Sequence, residues 1–298
     1  MFGGFAKGTR AWIAFGALSL IWGSSFVWIK IAVAQMVPAA LVSLRLLAAA
    51  LLMTAVLVFR PVDRRCVPEC LFPIVVVGTV GIAAPFLLYA WGETRASSSI
   101  AAIINATLPM FVWALEAKSM RKSALRFEQV VGLGIAFVGV ALLTISSAQV
   151  SNDNTDFIGI GALTVGTACY AASTVYARAR LSANDPVANA AYSIICAALF
   201  STVWCLLYHR GIPLPSSLLG WVAVLWLGVL GSFVAYLLYF LLLREWGPVG
   251  ATSTTYTFPV VGVCLSGLFL GETVSSYMLV GVVLVCAGVW MLNRVVAQ

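Results

Sequence analysis

Charge is what this sequence has least of. Of its 298 residues only 9% are charged, against roughly 25% in soluble domains. With 62% hydrophobic residues and a mean hydropathy of +1.04, a soluble globular chain is excluded and an integral membrane protein indicated. The single histidine, His209, leaves a metal centre short of ligands. The seven cysteines are scattered. Cys169, Cys196, Cys205, Cys264 and Cys286 fall in apolar stretches and read as small hydrophobes. Cys66 and Cys70 flank a short basic loop with no histidine near, which argues against zinc. No G-x-S-x-G, H-E-x-x-H or phosphate-cradling glycine loop occurs, so no enzyme, metal or cofactor is expected. Acidic residues number ten. Asp63, Glu69, Glu93, Glu128, Asp153, Asp156, Asp185, Glu245 and Glu272 fall in loops or at span ends, and Glu116 stands near the cytoplasmic end of its span. With no carboxylate at mid-span, a built-in proton relay is not expected.

What is present is apolar and periodic in its interruptions. Ten spans are expected, at 11–33, 38–59, 71–91, 96–117, 127–146, 157–177, 187–208, 217–242, 249–270 and 274–293. Each is near the ~20 residues a bilayer core demands, so an all-α membrane protein follows. The first stretch is too long for a signal-peptide core and reads as a retained span. The net charge of +7 comes from Lys and Arg between the spans, not from a nucleic-acid surface. With the N-terminus in the cytoplasm, thirteen of the 17 basic residues face that side and Lys30, Arg95 and Arg210 the other. Both termini are then cytoplasmic by the positive-inside rule.

The chain also repeats itself. Trp22–Lys30 resembles Tyr170–Arg178, and Pro38 matches Pro186, at an offset of 148. Phe86 and Tyr89 match Tyr236 and Tyr239 at 150; Gly132 and Gly139 match Gly281 and Gly288 at 149. Asn105-Ala106-Thr107-Leu108-Pro109 stands where Thr255-Tyr256-Thr257-Phe258-Pro259 stands. Two halves are expected, 1–148 and 149–298. Each holds five spans, an odd number, so the second enters the membrane inverted. Paired interrupted helices in such halves point to a transporter's binding site, and Pro109 and Pro259 are the candidate hinges.

W-G-S-S-F-V-W-I-K at 22–30, P-x-x-L-V-x-x-R at 38–45, F-P…G-L-F-L-G-E at 258–272 and G-x6-G-V at 281–289 resemble the EamA-type members of the drug/metabolite transporter superfamily. Among these the chain is most similar to bacterial aromatic amino-acid exporters of the YddG type. The resemblance implies ten helices in two inverted repeats, export of small metabolites, and a central cavity between spans 1, 3, 4 and 6, 8, 9. One departure is Met120-Arg121-Lys122, which stands where the second half has L-G-E.

Deep aromatic and amide residues are the candidate substrate contacts: Trp22, Phe26, Tyr89, Asn105, Tyr170, Tyr239 and Tyr256. Core packing accounts for each of them singly as well. Arg45 is the intramembrane charge; it either serves function or reaches outward to cap a carbonyl or pair with Glu93. Gly132, Ala136 and Gly139 share one face of span 5, which suits a helix partner inside the chain or a dimer. The expectation is an inner-membrane exporter of amino acids, aromatic ones foremost, working by alternating access with a small-molecule substrate and the bilayer as its partners. Export of other metabolites or drugs, proton antiport, a channel and an intramembrane enzyme are the alternatives. A monomer suffices, with a dimer as the alternative.

Overall fold

A computed structural model describes residues 2–59, 67–96, 98–119, 127–148, 156–261 and 276–294. Cys66, Cys264, Gly267, Gly271, Glu272 and the Met120-Arg121-Lys122 loop lie outside the described residues. Every described element is helical. Helix α1 is Phe2–Val33 and α2 is Pro38–Phe59. Helix α3 runs Val67–Gly78, passes through a π-helical turn at Thr79–Ala83 and ends as Ala84–Gly92. Helix α4 is Ser98–Ala106 and Leu108–Ser119, parted at Thr107; α5 is Phe127–Ala148; α6 is Phe157–Leu181; α7 is Pro186–His209. Helix α8 runs Leu218–Leu225, a π-helical stretch Trp226–Val234, then onward from Ala235 until Gly247 breaks the helix at φ 73. From residue 248 the chain is α9, which tightens into the 3-10 turn Ser253–Thr257. Helix α10 is Ser276–Arg294.

Six described helical stretches are long and apolar enough to cross a membrane, and one of these, Leu218–Val261, is 44 residues long. Three shorter apolar stretches lie in α4, α5 and α10. The apolar surface is outward as well as inward. Ile13, Leu20 and Val27 recur every seven residues on α1 and are exposed, while Leu18 and Phe26 are buried. That is the pattern of a helix with lipid on one side and protein on the other.

The sequence offsets reappear as packing. Pro38 and Pro186 each open a helix, where the missing N–H costs nothing; Asp185 caps the second by accepting from the Val187 amide at 2.9 Å. Helices α2 and α7 lie against each other, and Ser43 Oγ donates to Ser201 O at 2.8 Å. Gly78 on α3 sits where a Cβ would meet Ser193 O of α7 at 2.7 Å. Its match, Gly228 on α8, sits where a Cβ would meet Arg45 O of α2 at 3.0 Å. The most extensive pairing is α5 with α10. A Cβ on Gly139 would lie 2.8 Å from Gly281 O, and one on Gly288 would lie 2.5 Å from Gly132 O. The small-residue face of α5 is thus occupied inside the chain.

Helix-end contacts fall into two groups. In one, Lys30 Nζ donates to Glu93 O at 2.9 Å, Ser217 donates to Gln35 at 2.6 Å, and Arg95 pairs with Asp156 at 2.9 Å. The Ile158 amide, and then Arg95, hold the Asp156 carboxyl below the usual carboxylate range. In the other, Trp12 packs edge-on to Trp246 and Arg178 donates to Leu243 O and Arg244 O at 3.1 Å. These are the ends that the basic-residue pattern puts together outside and inside, respectively.

Candidate functional site

Between the helices lies a cavity of about 90 Å3, measured as the space open to the centre of a water molecule. At ~10–15 Å3 for one water, there is room for several. Helices α1, α3, α4, α6, α8 and α9 supply its wall, with Arg45 entering from α2. Sixteen of its 21 lining residues form eight matched pairs. At the offset of 148 these are Trp22 with Tyr170, Ser25 with Ser173, Phe26 with Thr174 and Ile29 with Ala177. At 150 they are Phe86 with Tyr236, Tyr89 with Tyr239, Asn105 with Thr255 and Leu108 with Phe258. Eight of the 21 are aromatic, and hydroxyls and one amide are the main polar groups beside Arg45.

The two π-helical turns lie at matched positions, on α3 and α8. A π turn disrupts the regular i→i−4 ladder and makes carbonyls available to other donors. On α8 Gly231 O accepts from Trp22 Nε1 at 3.0 Å and from Arg45 Nη2 at 3.4 Å. Ser232 Oγ donates to Leu227 O at 2.9 Å and accepts from Arg45 Nε at 3.1 Å. The guanidinium also lies over the Phe86 ring, 4.1 Å from its centroid. Arg45 therefore stays at cavity depth and bonds to α8. Of the contacts weighed from the sequence it makes the carbonyl cap, to Gly231 O at the cavity.

The tyrosines are fixed by threonines. Tyr89 Oη lies 2.7 Å from Thr167 Oγ1, and Tyr239 Oη lies 2.7 Å from Thr174 Oγ1. Each threonine already donates its one proton to a helix carbonyl, Leu163 O or Tyr170 O. The tyrosines must therefore be the donors. Their partners differ in kind: Tyr89 reaches across to the other half of the chain, and Tyr239 stays within its own half. Ser19, which matches Thr167 at the offset of 148, is buried, and its hydroxyl has no partner among the described residues.

Six of the seven candidate contacts, Trp22, Phe26, Tyr89, Asn105, Tyr170 and Tyr239, line this cavity together with Arg45. Tyr256 does not; it is fully buried away from the wall, and its hydroxyl has no partner among the described residues. The cause is local geometry. The 3-10 turn has three residues per turn, so Thr252, Thr255 and Phe258 share the cavity face and Tyr256 points elsewhere. Pro109 and Pro259 stand behind the wall, just after the breaks in α4 and α9. Thr107 and Thr257 bridge those breaks identically, each donating to the carbonyl three residues back, at 2.6 and 2.7 Å. The residue types alone had not singled out Phe86, Tyr236, Ser25 or Ser173. Their membership of matched pairs was the available signal.

Among the described residues no cluster of metal-binding side chains occurs. Glu93 stands at a helix end and is fully buried, outside the cavity wall.

The model of the EamA-like transporter family matches residues 10–145 and again 157–294. An uncharacterized inner membrane transporter of Escherichia coli, YedA, is 29% identical over 87% of this chain and 83% of its own. A probable terminal-alkyne amino-acid exporter of Streptantibioticus cattleyicolor is 24% identical over 74% of this chain and 72% of its own. A solved crystal structure shares the fold at a TM-score of 0.79, with 17% identity and 96% of this chain and 97% of that one covered.

Proposed function

This chain belongs to the EamA-like transporter family, and we propose that it exports amino acids and related small metabolites, those with aromatic side chains foremost. It is a multi-pass inner-membrane transporter. The observation that carries the substrate reading is the cavity: a wall rich in aromatic rings, with a few fixed hydroxyls and an amide, set between the spans. The relative whose name assigns it an amino-acid substrate supports the class. Counterflow in proteoliposomes, with a labelled amino-acid panel, tests it. Saturable exchange with aromatic amino acids as the strongest competitors is expected. Unsaturable flux would make the protein a pore, and equal competition by every member of the panel would remove the aromatic preference.

We read the mechanism as alternating access between two five-helix halves, 1–148 and 149–298, inverted across ten spans with both termini cytoplasmic. In such a pair each half takes the conformation of the other when the cavity changes sides. Tyr239 would then leave Thr174 and reach across as Tyr89 does now. The residue at the matching place is Ser19. Ser19→Ala should therefore slow counterflow severalfold while thermal stability stays level or rises slightly, because a buried hydroxyl without a partner is removed. Normal transport by Ser19→Ala would show that the exchange does not run through Tyr239. Pro109 and Pro259 serve in this reading as the hinges of α4 and α9.

Energetics follow from the charges. Among the described residues no carboxylate lines the cavity, and a zwitterion carries no net charge through the field. One net charge crossing 100 mV is worth ~2.3 kcal/mol. Flux of a neutral amino acid should be unchanged when the potential is reversed with potassium and valinomycin. A severalfold response would require a coupled ion.

A further inference from the structure

We infer that Arg45 is the carboxylate anchor of this cavity, so that the substrate class is defined by a carboxylate on an apolar body and not by an amine. The inference rests on the transport reading and goes beyond it by assigning the polar end of the substrate. Among the described residues Arg45 is the sole charged one in the wall. Its side chain is buried, and three constraints orient it: Ser232 at Nε, Gly231 O at Nη2, and Phe86 beneath the plane. Nη1 has no hydrogen-bond partner among the described residues. A planar guanidinium held this way presents its remaining donors in the geometry that a carboxylate accepts, and a low-dielectric surrounding strengthens the attraction.

The symmetry of the wall sharpens the point. Eight pairs make the two halves of the cavity nearly alike, yet the residue that matches Arg45 is Ser193, which is buried outside the wall. One end of the cavity therefore carries a cation and its counterpart does not. No described lining residue is acidic, so an ammonium would meet hydroxyls, amide and ring faces there. A solute with a carboxylate has one charged contact to gain, and a solute with an amine alone has none.

The test compares phenylalanine, 3-phenylpropionate and phenethylamine, with leucine, 4-methylpentanoate and isopentylamine as aliphatic counterparts. Each is titrated into the purified full-length protein and followed by thermal shift, then used as a competitor in proteoliposomes. The acids and amino acids should bind and compete, and the amines should not. Arg45→Gln should weaken the acids by about tenfold or more, the scale of one charge-assisted hydrogen bond, and leave the amines where they were. Arg45→Lys should restore part of the acid preference, which a purely structural role for Arg45 would not give. Amines competing as well as acids, or an acid-to-amine ratio unmoved in Arg45→Gln, overturns the inference while leaving the transport reading intact. Aliphatic acids binding through Arg45 while aromatic ones do not would overturn the aromatic preference and leave the anchor standing. If no member binds or competes, both are wrong.

Discussion

Gly288→Ala should lower the melting temperature of the purified protein by several degrees, and Gly288→Leu should leave no monodisperse protein to melt. A Cβ at Gly288 would lie 2.5 Å from Ala136 N and 2.5 Å from Gly132 O. These are backbone atoms of α5, and no side-chain rotation can clear them. Overpacking of this kind costs about 1–3 kcal/mol, and more where the backbone must move. Gly139→Ala should behave alike, since its Cβ would meet Val285 N at 2.7 Å and Gly281 O at 2.8 Å. The control lies on the same helix. Gly134 is exposed with nothing within 4 Å, so Gly134→Ala should stabilise, by up to ~1 kcal/mol of helix propensity. Fluorescence-detected size exclusion after graded heating reads all of these. Equal damage from Gly134→Ala and Gly139→Ala would mean that the α5–α10 crossing is not what the glycines serve.

Removal of the Trp22 side chain should produce the largest loss among the aromatic variants. Its indole packs edge-on to Tyr236 and Phe258, and its N–H supplies the shorter of two bonds to Gly231 O. Trp22→Ala should cost about 3–5 kcal/mol, the scale of an emptied aromatic site. Trp22→Phe keeps most of the packing and removes the donor. Of its two side-chain donors the Gly231 carbonyl then keeps Arg45, at 3.4 Å, for a cost of about 1–3 kcal/mol. The matched residue behaves differently, because Tyr170 Oη has no hydrogen-bond partner among the described residues. Tyr170→Phe should therefore stay within ~0.5 kcal/mol of the parent. Thermal melts give the stability order, and counterflow with the same preparations shows whether transport falls with it. A Trp22→Phe protein as stable as the parent would mean that the indole acts by volume alone.

Much of this architecture was legible because the bilayer imposes lengths and the repeat imposes matches. The breaks in α4 and α9 were visible as Thr107-Leu108-Pro109 and Thr257-Phe258-Pro259, where proline removes a backbone donor. The paired aromatics Trp22 and Tyr170, and Tyr89 and Tyr239, pointed to the cavity they line. The π-helical turns were not legible, since Thr79–Ala83 and Trp226–Val234 carry no residue type that demands them. For the same reason the partners of Arg45 were missed: a carbonyl exposed by a backbone distortion leaves no mark in the residue types. Tyr256 was singled out by residue type and depth alone; along a stretch that winds with three residues per turn, Thr252, Thr255 and Phe258 take the cavity face and Tyr256 does not.

The α5–α10 crossing also bears on how the chain is made. Membrane helices enter the bilayer in order of synthesis, yet the closest partner of Phe127–Ala148 is Ser276–Arg294. Between them the ribosome must complete α6 to α9. Throughout that interval the glycine face of α5 has only lipid or a temporary neighbour to cover it. The arrival of α10 thus completes this crossing, and variants at Gly139 or Gly288 should be recognised by quality control only after α6 to α9 have been inserted.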